Sequence, residues 1–397
     1  MKSQQPWHQR FGPVRAARSA ARRTFFRVLR KTFATDDGRA ILNESLHGQL
    51  EWRPRAALTG VNLDDQVYGE LGRLSAAVVD RRPVIITARF RTGSTALWNA
   101  FRRIPSCTAY YEPLNERRWF DPLRRGVLVD ATHRGVTEYW REYTGMQDLG
   151  RLYRDSWTQR DLYMDERSWN PQLSEYVETL INRAAGLPVL QFNEIDFRLP
   201  WFRAHFPTAR ILHLYRHPRE QWCSSLFDIS LFPHDAPRSA FAPHDHFYLE
   251  RWVRDLKYTF PFLDDERITH PYDQFYLIWK LSYLYGRAYA DRSVRYEHII
   301  ESPGPQLRAI FHWLDIDAAP ANSIVGAFGG ALPGRWKDYA SADWFESRES
   351  RCQESLREFF ETTADERQPA EAGERVWPML QAALEQRRLH EAAGGEA

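Results

Sequence analysis

Residues able to grip an anion gather at two places in this chain of 397 residues. The first is Arg89-Phe90-Arg91-Thr92-Gly93-Ser94-Thr95, which sets two cations, three hydroxyls and one glycine side by side. Arg91 can neutralise a phosphate-like group, Gly93 lets the backbone come close to it, and the hydroxyls can donate to it. The second is Arg216, followed by Pro218 and, two helical turns on, by Ser224. Here too a guanidinium can hold an anion bidentately while a hydroxyl donates. Each place also has a plainer reading. Ser94 or Thr95 can simply cap a helix, and Arg216 can pair with a core carboxylate. Two such turns in one chain weigh toward anion binding.

The elements that must position these residues are legible around them. Val84-Ile85-Ile86, bounded by Pro83, reads as a short buried strand, and Leu97, Trp98, Ala100 and Phe101 follow the loop at helical spacing. A strand feeding a turn that opens a helix offers free N–H groups and the favourable end of the helix dipole. Further strands are expected at 107–111, 188–192, 209–215 and 293–296, with helices at 173–185, from Pro218, at 274–289 and at 305–314. Gly186 is the stop signal of the helix before the third strand. Strands alternating with helices predict an α/β fold, a central parallel sheet of about five strands flanked by helices. Ligands of such sheets sit beyond the carboxyl ends of the strands. That rim would collect the first loop, Glu112 after the second strand, Asn193 and Glu194 after the third, and Arg216 after the fourth. Residues 36–80 read as connecting helices, with Leu71, Leu74, Val78 and Val79 as a packing face. The segments 115–170 and 228–273, rich in aromatic residues, read as helical or loop-like insertions within a single domain spanning 41–365, followed by a C-terminal helix and tail at 366–397.

Composition narrows the function classes. An apolar fraction of 43% with 14% aromatic residues supplies a sizeable core, and a formal net charge of +2 does not suit a globally basic nucleic-acid binder. Cys107, Cys223 and Cys352 are far apart with no CxxC spacing, which predicts neither a zinc site nor a disulfide framework and fits a reducing compartment. His244 and His246 are neighbours in a loop without a third ligand, so no metal is expected. No run approaches the length of a membrane span and no secretory leader is visible, so a cytoplasmic location is expected. Residues 1–35 hold nine Lys or Arg and no acid. This arm, 1–40, can be a terminal helix, a peripheral membrane or polyanion contact, or an organelle transit segment.

The paired turns resemble those of the sulfotransferases that use 3′-phosphoadenosine 5′-phosphosulfate, particularly the bacterial and carbohydrate-type branch. Arg91-Thr92-Gly93-Ser94-Thr95 is similar to that family's loop of Lys or Arg, x, Gly and two hydroxyl residues, which holds the 5′-phosphosulfate. Arg216 and Ser224 keep the family's eight-residue spacing for the 3′-phosphate. Val294-Arg295-Tyr296-Glu297 resembles its Tyr-Glu-Asp-Leu strand end, and Phe311-His312-Trp313-Leu314 its closing Phe-Leu-Gly. The resemblance covers about residues 83–316 and implies a P-loop NTPase-like fold and an activity that moves a sulfuryl group to an acceptor hydroxyl on a carbohydrate, lipid or small molecule, without a metal. It carries Arg91, Thr92, Gly93, Ser94, Thr95, Arg216 and Ser224 over as donor-binding residues. Lys337 comes with them from an imperfect match, Gly330 to Lys337, in which Arg335 replaces an Asp. Tyr111-Glu112-Pro113 resembles the Glu-Pro of members that use a glutamate base, which makes Glu112 the candidate base and Glu194 the second choice. Asp196 reads as structural, Trp98 and His213 as core residues, and Arg89 as a residue that fixes the turn. A nucleotide-dependent kinase is the alternative enzyme, disfavoured because the loop lacks the Gly-x-x-x-x-Gly-Lys spacing. A non-catalytic nucleotide-binding protein is the alternative from another class.

Overall fold

Strands and helices follow one another in the order β1 (Leu71–Gly72), β2 (Val84–Ala88), α1 (Ser94–Arg102), β3 (Cys107–Tyr111), α2 (Pro171–Arg183), β4 (Leu187–Phe192), α3 (Leu199–His205) and β5 (Arg210–Tyr215). They continue with α4 (Pro218–Ser225), α5 (Leu249–Leu256), α6 (Pro271–Tyr289), β6 (Arg292–Arg295), α7 (Tyr296–Glu301), α8 (Pro303–Trp313), α9 (Trp336–Tyr339) and α10 (Ala342–Asp365). This computed structural model describes residues 71–72, 83–126, 133, 136–317, 328 and 334–365. The basic arm 1–40 and the tail 366–397 lie outside the described residues.

The sheet order is β1-β6-β5-β2-β4-β3. Five strands are parallel, as expected. Val84 lies opposite both Val189 of β4 and Arg210 of β5, so β2 sits between them. All five residues of β2 are buried, as a parallel strand covered by helices on both faces requires. From β2 the chain crosses to the far edge at β3, returns to β4, then passes to the other side of β2 at β5. The carboxyl ends of β4, β2 and β5 therefore flank the point where the winding reverses, and this is where such sheets bind ligands.

The helices close the faces. Trp98 of α1 is fully buried and its indole donates to the Ala109 carbonyl of β3 at 2.8 Å. All of α6 is buried, so that helix forms the centre of one layer. It begins at Pro271, three residues before the expected start, because His270 and Asp273 form a reciprocal capping box: the Tyr272 N–H donates to His270 Nδ1 and the His270 N–H to Asp273 Oδ2. His213 is a core histidine. It hydrogen-bonds Ser293 at 3.1 Å, lies against Gly286, and is held neutral by burial, which lowers its pKa to about 3.

Two expectations are corrected. Leu71 does not lie on a helix. Leu71–Gly72 is an edge strand antiparallel to β6, with Leu71 opposite Ser293 and Gly72 opposite Arg292. Among the described residues of 115–170 there is no α-helix. The segment runs through turns and three 3₁₀ pieces, Arg141–Tyr143, Gln147–Arg151 and Asp155–Thr158. Its aromatic side chains anchor it to the end of β3 instead: Tyr143 and Tyr153 donate to the carbonyls of Tyr111 and Leu114, as Tyr176 of α2 does to that of Pro113. The stretch 228–273 is likewise mostly turns, with one short helix, α5.

Candidate active site

The loop between β2 and α1 is built from its underside. Arg89 is buried, with its guanidinium 4.0 Å from Asp196 and 4.4 Å over the Trp252 ring. Burial lowers its pKa to about 10, with Asp196 acting in the opposite sense. Asp196 also accepts from the Thr87 hydroxyl at 2.6 Å. Thr92 turns its hydroxyl and its N–H onto the Arg89 carbonyl, at 2.7 and 3.3 Å. Arg89 and Asp196 thus support the turn, and Thr92 closes it with its side chain instead of offering that hydroxyl to a ligand.

Above this base the backbone is forced into unusual shapes. Arg91 has φ of +67° and Gly93 of +90°, both left-handed. At Gly93 the Tyr296 ring, just beyond β6, occupies the space a Cβ would need. Only glycine meets both conditions. Past it, the Ser94 and Thr95 N–H groups open α1 with no preceding helical carbonyl to bond, while those of Ala96 and Leu97 donate to the Gly93 carbonyl at 3.1 and 3.2 Å. Ser94 donates to Asn193 Oδ1 at 3.3 Å, and Thr95 is 2.9 Å from the Tyr111 hydroxyl and 3.2 Å from His133 Nε2.

The second turn meets the first. Arg91 Nε donates to Ser224 Oγ at 3.1 Å, and Arg216 Nη1 donates to the Arg91 carbonyl at the same distance. The Arg216 guanidinium lies 5.3 Å over the Tyr296 ring and approaches Glu220 no closer than 3.9 Å. The Arg216 carbonyl accepts from the Trp279 indole at 3.0 Å, which fixes the end of β5. Phe227 and Phe247 collar Arg91, their centres 5.2 and 5.8 Å from its guanidinium carbon. Phe227 remains 42% exposed.

Lys337 is not joined to this cluster. It is exposed on α9, its ammonium 5.8 Å from the Trp336 ring centre, and no hydrogen bond links it to Arg216 or Ser224. The segment docks instead through the Gly334 N–H, which donates to the Glu220 carboxylate, and through Arg335, which donates to the Phe227 carbonyl at 2.5 Å.

The carboxylates lie on the same rim. Glu112, left-handed at φ +39°, is buried and accepts from the side-chain amides of Asn193 and Asn115. Glu194 is buried beside it and accepts from the Asn193 N–H at 3.1 Å. Burial raises the pKa of both. Hydrogen bonds from Tyr111, Asn115 and Asn193 restrain the rise for Glu112, whereas the neighbouring charge of Glu112 adds to it for Glu194, which reaches about 8. A carboxylate held by donors and raised above its ordinary range suits a proton acceptor working near neutral pH. Among the described residues, no group of three His, Cys, Asp or Glu is placed to hold a metal ion.

The rim therefore unites Arg91, Gly93, Ser94, Thr95, Arg216, Ser224, Glu112 and Glu194. Sequence reasoning missed the part played by Tyr296, which covers Gly93 and Arg216, and by Phe227 and Phe247. It placed Asn193 on the rim but gave it no role. Asn193 has a positional signal only, as the first residue after β4.

Residues 83–320 match the model of the Sulfotransferase family. No curated protein matches the chain. Among solved structures, a sulfotransferase from Alicyclobacillus acidocaldarius is 12% identical, with a TM-score of 0.35, covering 75% of this chain and 100% of its own. A sulfotransferase from Mycobacterium avium is 15% identical, with a TM-score of 0.34, covering 72% of this chain and 77% of its own.

Proposed function

The chain belongs to the sulfotransferase family, and from that premise we propose that it moves the sulfuryl group of 3′-phosphoadenosine 5′-phosphosulfate to an acceptor hydroxyl, with Glu112 as the base. The observation that carries this reading is the meeting of two anion-binding turns, Arg91 with Ser224 and Arg216 with the Arg91 carbonyl, on the rim that also holds Glu112. A donor with one phosphate at each end of its ribose needs two such turns in contact. A simple triphosphate loop does not.

The donor supplies an activated sulfuryl group, and its transfer resembles phosphoryl transfer in needing alignment and charge stabilisation more than covalent help. Arg91 and the N–H groups opening α1 would face the phosphate that leaves, where negative charge grows. Arg216 and Ser224 would hold the 3′-phosphate and so set the donor's register along the rim. Glu112 would take the proton of the acceptor hydroxyl as the oxygen–sulfur bond forms. The acceptor could be a carbohydrate, a lipid or a small molecule.

Calorimetry tests the donor. Adenosine 3′,5′-bisphosphate should bind more tightly than ATP, and tight binding of ATP with none of the bisphosphate would sink the proposal. An acceptor screen with radiolabelled donor tests the base. Glu112→Gln should bind the bisphosphate normally and lose about 10²- to 10⁴-fold in turnover.

A further inference from the structure

Asn193 is in contact with the loop after β2 and with both carboxylates. Its Oδ1 accepts from Ser94 Oγ at 3.3 Å and from Gln191 Nε2 at 2.8 Å. Its Nδ2 donates to Glu112 Oε1, and its backbone N–H donates to Glu194 Oε2 at 3.1 Å. The strand order explains the placement. β4 runs between β2 and β3, so the first residue past β4 stands between the turn leaving β2, with Ser94, and the turn leaving β3, with Glu112. Asn193 is 2% exposed, so water does not compete for these bonds.

The polarity of the amide is set by its neighbours. An ionised Glu112 can only accept, so Nδ2 must face it, and Oδ1 must then face the hydroxyl of Ser94 and the amide of Gln191. Reversing the amide would set Oδ1 against the carboxylate and leave Gln191 and Asn193 nitrogens facing each other. The two carboxylates are also kept on different groups of the same residue, Glu112 on the side chain and Glu194 on the backbone.

We infer that Asn193 is a positioning residue for the transfer reaction: it aims the Glu112 carboxylate toward the acceptor and ties that aim to Ser94 in the donor loop. This rests on the reading of Glu112 as the base. The side chain supplies what neither turn has alone, a rigid link between the group that takes the proton and the loop that faces the leaving phosphate. Misplacing a reacting group by about 1 Å can cost about a hundredfold in rate.

The test is a double-mutant cycle on the full chain, with turnover, bisphosphate binding and the pH profile of kcat as readouts. Asn193→Ala should lower kcat by about tenfold to a hundredfold and leave binding of adenosine 3′,5′-bisphosphate close to that of the parent. In the Glu112→Gln background the same change should alter the residual turnover by less than about twofold, because the residue acts through Glu112. Asn193→Asp should move the acid limb of kcat to higher pH, since a second negative charge beside Glu112 makes its proton harder to lose. Equal losses of kcat in both backgrounds, loss of bisphosphate binding in step with kcat, or an unmoved acid limb in Asn193→Asp would each overturn the assignment. If Asn193→Ala does not fold, the pH profile of Asn193→Asp, which preserves the size of the side chain, decides alone. Normal turnover of Glu112→Gln by itself would instead overturn the base on which the inference rests.

Discussion

Arg91 and Ser224, 133 positions apart in the chain, are joined by a hydrogen bond of 3.1 Å from the guanidinium Nε to the hydroxyl. The bond joins the loop after β2 to the turn after β5. It also makes the two residues separable by experiment. Ser224→Ala should weaken donor binding and raise the KM for donor by about tenfold, in line with a hydrogen bond to a charged group, while kcat changes little. Arg91→Ala should lower kcat by about 10²- to 10³-fold, as when one donor to a developing oxyanion is lost. Steady-state kinetics at varied donor concentration distinguish the two, and a pure KM effect for Arg91→Ala would remove it from the leaving phosphate.

Arg216 touches the Arg91 carbonyl and the Tyr296 ring, and among the described residues it comes no closer to a carboxylate than 3.9 Å, at Glu220. Arg216→Ala should weaken adenosine 3′,5′-bisphosphate by about tenfold to a hundredfold. Adenosine 5′-phosphate, which lacks the 3′ group, should bind the variant and the parent alike. Calorimetry with the pair of nucleotides checks this, and an equal loss for both would move Arg216 away from the 3′-phosphate.

Gly93→Ala meets two obstacles, a left-handed φ and the Tyr296 ring. The backbone part alone costs about 1–3 kcal/mol, and the ring must move as well. The variant should melt several degrees lower and lose bisphosphate binding. Adding Tyr296→Ala should recover the steric part only, leaving the double variant between Gly93→Ala and the parent in the melting experiment if the ring is the larger obstacle. A Gly93→Ala protein that melts and binds like the parent would contradict this account.

Glu194 supplies a pH dependence. Burial, with the charge of Glu112 second, raises its pKa from the ordinary 4.5 to about 8. Its neutral form is therefore the one the fold prefers, so its contribution to stability is complete below about pH 4.5 and is lost as the pH rises toward 8. Glu194→Gln keeps an acceptor for the Asn193 N–H and does not titrate. Relative to the parent, it should gain stability as the pH is raised through that window, on the order of a few kcal/mol. Denaturant unfolding at a series of pH values measures the difference, and parallel curves would mean that Glu194 does not carry it. Turnover should survive in Glu194→Gln; if it is lost while Glu112→Gln remains active, the base is Glu194.

The residues that were legible from the sequence are those whose chemistry is local. The run Val84 to Ile86, Gly93 and the apolar face from Leu97 to Phe101 describe a strand, a turn and a helix without reference to the rest of the chain, and each is where it was expected. Glu112 and Arg216 could be set on one rim because they follow strands of a parallel sheet. Asn193 is different. An amide after a strand has no signature, and its connections to Ser94 and Glu112 exist only because β4 is inserted between β2 and β3. Tyr296 was read as part of a strand end and has its effect on Gly93 through β6. The 3₁₀ turns of 141–158 stand where helices were expected, and the bonds that tie Tyr143 and Tyr153 to the backbone of Tyr111 and Leu114 span 32 and 39 positions, which no local propensity encodes. Lys337 matched a motif in sequence, yet the segment is docked by Gly334 and Arg335.

The Tyr296 ring over Gly93 has a consequence for the life of the chain on the ribosome. The anion loop is translated early, but the ring that encloses it is supplied by the residue after the last parallel strand. A nascent chain that has not yet released β6 has the sequence of the loop without the wall against which it is shaped. Domains fold as units once their closing elements emerge, so binding competence should appear late and all at once. A polypeptide cut short before Tyr296 would carry Arg91, Ser94, Arg216 and Ser224 and still lack the ring that lies against Gly93.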